Sequence, residues 1–309
     1  MSIVFVVDSE GKPLLPTHPA RSRKLLHEGR AKVKQVVPFT IQLNRKVNNP
    51  VGEFEIGVDD GAKYVGPAIK NTKTNEVVFH GQLDHRQDVG RKVEQRRNYR
   101  KARRFRLRNR QPRFNNRIKS KIATSIRQRK EAILRVICDL SQRLNIKKVK
   151  VEEVSFNHAK YVYGKFFSLV EIGKTYLREQ IKKLGLIYET TFGHITKVTR
   201  VNLGLTKKHS HDACAIVESN QLVGCEYQIK PKRTRVWESN PTKTCNEKNG
   251  FRHYDLVKSS HRTRGTVVGS IRSLKADGIT LRTKWNDNFS VSYSKTRLLQ
   301  RFGGLVYSF

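Results

Sequence analysis

Over the first 44 residues two apolar bursts, IVFVV and PFTIQL, flank the polar turn DSEGKPLLP and the basic segment ARSRKLLHEGRA. This pattern predicts strand, turn, basic helix and second strand. RKVNNPVG follows as a linker rich in turn formers. From Glu53 the alternation becomes regular through EFEIGV, KYVGPAI and EVVFHGQL, which predicts a β-meander opening a mixed α/β domain. A basic stretch interrupts it. Beyond RFNNR, Ile118, Ile122, Ile126, Ile133, Ile137, Leu140 and Leu144 step by three, four or seven and predict a long helix with one apolar stripe. A strand over KKVKVEEV, an amphipathic helix over LVEIGKTYLREQIKKLG, a strand over LIYETTF and a helix over HSHDACAIVES complete the domain. After Leu222, GTVVGSI, GITLRT, FSVSYS and GGLVYSF are separated by Gly, Asp and Asn, the texture of a small β-barrel-like module.

A chain of 309 residues that is 37% hydrophobic can bury a real core. Charge changes the picture more: 63 Lys and Arg against 26 Asp and Glu leave a formal +37. Such an excess repels itself unless a polyanion shares the structure, and nucleic acid is the natural one. Anionic membrane is the rival polyanion, but no membrane partner is expected, because the chain has no run of about 18 apolar residues and no helix pairing a basic face with a clean apolar one. MSIVFVVDSEGK lacks a basic start and its apolar run is short for a signal peptide, so a cytoplasmic location is expected. Cys138, Cys214, Cys225 and Cys245 form no C-x-x-C pair, so neither a zinc knuckle nor a disulfide frame is indicated.

The basic stretch carries eleven cations: Arg91, Lys92, Arg96, Arg97, Arg100, Lys101, Arg103, Arg104, Arg106, Arg108 and Arg110. As a helix of about 20 residues it would be roughly 30 Å long, with cations emerging on every side. Like charges four apart cost about 0.2–0.5 kcal/mol each in an isolated helix. Such a helix suits surrounding phosphates, which guanidinium groups grip in bidentate fashion. A solvated charged face is the ordinary explanation of a short charge run, but solvated faces mix signs and this one does not. Arg21, Arg23, Lys24 and Arg30 of the N-terminal helix suit phosphates as well.

Three acidic residues stand out against this background. Asp59 ends EFEIGVD, Glu152 ends KKVKVE, and Asp212 lies early in HSHDACAIV. If the two strands are neighbours and the helix packs beside their C-terminal ends, the three converge on a site for a hard cation. Two Mg²⁺ ions about 3.5–4 Å apart would fit it and support phosphodiester hydrolysis. His209, one turn before Asp212, could take a proton from water or steady a phosphate. Each residue has a plainer explanation: DDG is a hairpin turn, Glu152 and Glu153 could end a strand, Asp212 suits a helix N-terminus, and His209 could be a surface histidine.

The ordered set GVDDGAKYVG, arginine-rich helix, RFNNR, KVKVEEVSF and HSHDA resembles the split RuvC-like nuclease domain of the transposon-encoded IscB and IsrB proteins. GKPLLP is similar to the PLMP motif of their first domain, with Leu15 in place of Met. The resemblance puts Asp59, Glu152 and Asp212 in the places of the three metal-holding carboxylates and His209 in that of the accompanying histidine. It makes the arginine stretch a bridge helix lying in RNA, so that Arg96, Arg97, Arg100, Lys101, Arg103, Arg104, Arg106, Arg108 and Arg110, with Arg21, Arg23 and Lys24, contact RNA. Sixty positions separate Glu152 from Asp212 without a cluster of cysteines and histidines, so the match is to IsrB, the form without an HNH nuclease.

The resemblance therefore implies an RNase H-like mixed sheet split by a bridge helix, with a small N-terminal α+β domain and a C-terminal β-barrel-like domain. The implied spans are a PLMP-like domain at 1–47, RuvC segments at 48–82 and 113–221, a bridge helix at 83–112 and a target-adjacent-motif domain at 222–309. The implied activity is Mg²⁺-dependent nicking of the non-target DNA strand under an omega guide RNA, with Mn²⁺ able to substitute, by a monomeric ribonucleoprotein. Its DNA target would carry a short adjacent motif. Guided binding without cleavage and an unguided structure-specific nuclease are the alternatives. The acidic trio argues against the first, the arginine helix and basic N-terminal unit against the second.

Overall fold

A computed structural model describes residues 3–48, 52–107, 122–153, 169–231, 247–283 and 287–308. The chain divides into two compact units, one of residues 53–140 and 146–222, the other of residues 1–52, 141–145 and 223–309.

In the second of these, β1 (Phe5–Val7) and α1 (Pro19–His27) precede β2 (Ala31–Gln35) and β3 (Thr40–Leu43). β3 lies centrally, parallel to β1 and antiparallel to β2. Val4, Val6, Ala31, Ile41 and Leu43 form the core, against which Leu25 and Leu26 of α1 pack. Helix α1 is shorter than its sequence suggests, because Gly29 at φ +66° turns the chain into β2. Strand β2 was not expected. Its Lys32, Val33 and Lys34 are all exposed, so it shows no alternation, and lysines are a common guard on an edge strand.

In the other unit, β4 (Phe54–Asp59), β5 (Tyr64–Asn71) and β6 (Val77–Asp84) form the predicted antiparallel meander. Next come α2 (Val89–Arg106), α3 (Thr124–Ser141), β7 (Ile146–Glu152), α4 (Leu169–Lys183), β8 (Ile187–Thr191), α5 (Gly193–Asn202) and α6 (His209–Ile216). β7 joins β4 in parallel and β8 joins β7 in parallel, so these strands run β6-β5-β4-β7-β8. Three antiparallel strands continued by two parallel ones, with helices on both faces, is the RNase H-like arrangement.

Burial alternates along β4. Phe54, Ile56 and Val58 point to the face covered by α3, whose Ile133, Val136 and Ile137 are buried. Gly57 contacts α6 on the opposite face. The predicted apolar stripe accordingly holds from Ile133 to Leu140, whereas Leu144 is buried beyond the end of α3 and Ile118 lies outside the described residues. Helix α5 was not foreseen, since GHITKVTRVN opens on glycine and is rich in β-branched residues, both poor helix formers.

The chain then returns to the other unit with β9 (Glu226–Pro231), the short pair β10 (Glu247–Lys248) and β11 (Phe251–Arg252), then β12 (Leu256–His261), β13 (Gly265–Leu274), β14 (Ile279–Arg282), β15 (Asn288–Val291), β16 (Thr296–Gln300) and β17 (Leu305–Ser308). β17 pairs antiparallel with β9. Five strands form an antiparallel sheet in the order β15-β14-β13-β12-β16, with register shifts in the β12–β16 and β13–β14 pairings that let it curl. Val257, Ile271, Ile279, Leu281 and Val291 meet in its single core, the barrel-like texture expected.

Candidate active site

The sheet dictates where the first two carboxylates go. Val58 of β4 stands opposite Val151 of β7, so Asp59 and Glu152 end two adjacent parallel strands one residue further on. Period-two alternation puts both on the face opposite the buried Val58 and Val151. This is the strand arrangement posed from sequence.

Helix α6 brings the other two residues, and glycines decide how close it comes. A Cβ at Gly66, which pairs with Asp59, would lie 1.7 Å from the carbonyl oxygen of His209, and one at Gly57 would lie 2.7 Å from that of Ala213. Backbone therefore packs directly on backbone. Ala68, Val77, Ala213, Cys214 and Val217 fill the rest of the seam. His209 consequently reaches Asp59, its Nδ1 2.5 Å from Oδ2, with Tyr64 beside the ring.

Burial raises the pKa of the Asp59 carboxyl to about 6, since the charged form is poorly solvated. The hydrogen bond and charge of His209 oppose that rise, while the negative charges of Glu152 and Asp212 add to it. Glu152 and Asp212 are thus each near enough for their charge to act on Asp59. Asp212 is held by Arg200 of α5, with Nε 2.7 Å from Oδ1. Among the described residues no three His, Cys, Asp or Glu side chains are gathered into a ready metal cage. His209 holds Asp59 and Arg200 holds Asp212.

The neighbouring acids are separated from this group. Glu153 accepts hydrogen bonds from Tyr188 at 2.5 Å and Arg178 at 2.9 Å. Asp60 forms a buried pair with Lys130 of α3. His211 stands near His80 and Thr206 and does not join Asp59. Arg200 gave no signal in the sequence. Gly57 and Gly66 did, because an isolated glycine within a strand marks close approach of another backbone.

Of the predicted RNA contacts, Arg96, Arg97, Arg100, Lys101, Arg103, Arg104 and Arg106 lie on α2, which buries none of its residues. Arg108 and Arg110 lie outside the described residues, as does Cys245. Phe105 of this helix is 87% exposed and Tyr99 65%, so the protein alone leaves even its apolar positions uncovered. In the other unit, Arg21 and Lys24 line a cleft of about 570 Å³ together with Arg30 and Arg45, and Arg23 is exposed. Among the described residues no helix is long and apolar enough to cross a membrane.

The strand order and flanking helices make an RNase H-like mixed sheet, with carboxylates at the ends of two adjacent parallel strands. The chain belongs to the RRXRR family: residues 4–171 match that family, described as RRXRR protein. No curated protein matches it. Similar solved structures include T. thermophilus RuvC in complex with Holliday junction substrate, 14% identical over 54% of this chain and 90% of that one, with a TM-score of 0.32. Thermus thermophilus RuvC itself is 13% identical over 53% of this chain and 91% of that one, with a TM-score of 0.31.

Proposed function

We propose that this protein is a divalent-metal-dependent nuclease that nicks DNA under the direction of a bound guide RNA. The observation that carries the hydrolytic reading is that Asp59 and Glu152 end adjacent parallel strands on one face, while a helix seated on two glycines brings His209 onto Asp59 and Asp212 near enough for its charge to act on Asp59. The donor set fits a hard cation: all three acids supply carboxylate oxygens, and a bound cation would offset both the burial that chiefly raises Asp59 and the smaller repulsion from Glu152 and Asp212. Magnesium held by Asp59, Glu152 and Asp212 would polarise a phosphodiester oxygen and acidify water. Mn²⁺ would substitute.

The protein's own residues account for the remaining chemistry. With Nδ1 of His209 bonded to Asp59, Nε2 is the nitrogen that can exchange a proton with water or a phosphate oxygen. Guidance is supported by α2, whose exposed cations of one sign gain most from a polyanion wrapping several sides. Arg21, Arg23 and Lys24 extend the same surface chemistry. In this reading pairing with the guide selects the target, while the protein reads backbone and a short adjacent motif.

Guided binding without cleavage is the second reading, favoured by the Arg200–Asp212 ion pair, which occupies a carboxylate that the reaction needs. Sequencing the RNA that copurifies with the full chain, then incubating the complex and Mg²⁺ with a supercoiled plasmid bearing a matched target, separates the readings. Nicked circles on the matched plasmid alone support the first. Shifted but uncut plasmid supports the second, and cutting that ignores the RNA supports an unguided nuclease.

A further inference from the structure

An exposed pair of stacked aromatic rings starts one residue beyond the strand partner of Glu152. Thr191 pairs with Glu152 across β7 and β8, and the amide of Glu153 donates to Thr191 O at 2.8 Å. The next residue, Phe192, is locked from the other side, its carbonyl accepting from the amide of the buried Thr196 at 3.0 Å. Its backbone is therefore fixed to the strand that ends in a candidate metal ligand. Yet Phe192 is 39% exposed. Its ring is stacked with that of His194, centroids 5.9 Å apart and planes only 7° from parallel, so the two faces share one direction.

Gly193 separates the two residues in sequence, and a Cβ there would come 3.0 Å from Oε1 of Glu152. That contact locates the platform beside the carboxylate itself. The surface continues along α5 as Ile195 and Val198, 45% and 58% exposed, with Lys197 exposed between them. In a chain of net charge +37, this run sets rings and apolar side chains around a single cation, whereas α2 carries its exposed Tyr99 and Phe105 among nine Lys and Arg. It matches the chemistry of an unpaired strand, whose bases present π-faces and whose phosphates present charge. Paired bases hide their faces, so a duplex would leave the platform bare.

We infer that Phe192 and His194 form a base-stacking platform that holds the single DNA strand whose backbone crosses Asp59 and Glu152. This rests on the nuclease reading for the identity of the strand, and on the contacts above for its place. Stacking releases no counterions, so its loss weakens binding without altering salt dependence, whereas loss of an arginine alters both.

The test uses the full chain with a single-stranded deoxy-oligonucleotide carrying 5-iododeoxyuridine, irradiated in EDTA and mapped by peptide mass. Crosslinks at Phe192 or His194 are expected. Phe192→Ala should abolish them and weaken strand binding roughly five- to a hundredfold at unchanged salt slope. Phe192→Trp should keep both, and Phe192→Leu, which keeps apolar area without a ring, should behave as Ala does. Matching melting temperatures of the variants exclude unfolding. Crosslinks confined to Tyr99 or Phe105, a Leu variant equal to the parent, or a changed slope would overturn the platform; the Leu result would make the surface a protein-docking face. Asp59→Ala run in parallel keeps the two ideas apart: undiminished cleavage by it refutes the carboxylate site while leaving the crosslink result to stand or fall alone.

Discussion

Replacing Gly66 by alanine tests whether α6 must lie directly on the sheet for the site to exist. The added Cβ would meet the carbonyl oxygen of His209 at 1.7 Å and its carbonyl carbon at 2.4 Å. Both are backbone atoms of the residue bonded to Asp59, so no rotamer change relieves the clash. To restore an ordinary contact of 3.4 Å the start of α6 must retreat by about 1.7 Å. Overpacking of this kind costs typically 1–3 kcal/mol, and a misplacement of about 1 Å at reacting groups lowers rate by about a hundredfold. Gly66→Ala should therefore melt lower, and its Mg²⁺-dependent cleavage should fall by about two orders of magnitude while RNA retention is preserved. A melting curve and a single-turnover cleavage assay on the same preparation suffice. Parental activity in a variant that melts normally would refute the claim that backbone contact sets the His209–Asp59 geometry.

Other perturbations separate the remaining parts. Changing Arg96, Arg100 and Arg104 to alanine should weaken RNA binding and reduce the slope of log K against log salt by roughly 2–3, at about 0.7–0.9 for each phosphate no longer neutralised; filter binding across a salt series checks it. Arg200→Ala should tighten Mn²⁺ binding, read by electron paramagnetic resonance, by roughly fivefold, the scale of one ion pair worth on the order of 1 kcal/mol; weaker binding would make Arg200 a support for Asp212. His85 is buried, and that burial, with Arg129 and Lys130 nearby, lowers its pKa to about 4. The fold therefore binds fewer protons than the unfolded chain between about 4 and 6.5, so this contribution is full above 6.5 and is lost as pH falls toward 4, by up to about 3 kcal/mol. Asp59, raised to about 6, acts with the opposite sign over an overlapping range, so denaturant titrations of His85→Asn against the parent isolate the histidine, and parallel pH curves would refute its role.

Much of the central unit was legible because its signals are local. The meander EFEIGV to EVVFHGQL alternates cleanly, and the α3 stripe repeats at helical spacing. Asp59 and Glu152 could be matched because each ends such a strand, and parallel pairing of β4 with β7 then aligns them. What escaped depends on contacts between distant segments. Strand β2 follows β3 rather than any alternation of its own. Helix α5 forms against its intrinsic propensity, anchored by Thr196 and by Arg200 on Asp212. That ion pair joins residues of two helices, so no spacing rule announces it. Sequence chose Glu152 over Glu153 by its place at the strand end and by resemblance, without seeing that Tyr188 and Arg178 engage Glu153.

The most direct measurement compares the parent with Asp59→Ala, each purified with its RNA, on a supercoiled plasmid carrying the matching target. The parent should produce open circles in Mg²⁺ or Mn²⁺ and none in EDTA. The variant should produce none in either metal while holding the same RNA. Nicking by Asp59→Ala at the parental rate would contradict the assignment of hydrolysis to these carboxylates.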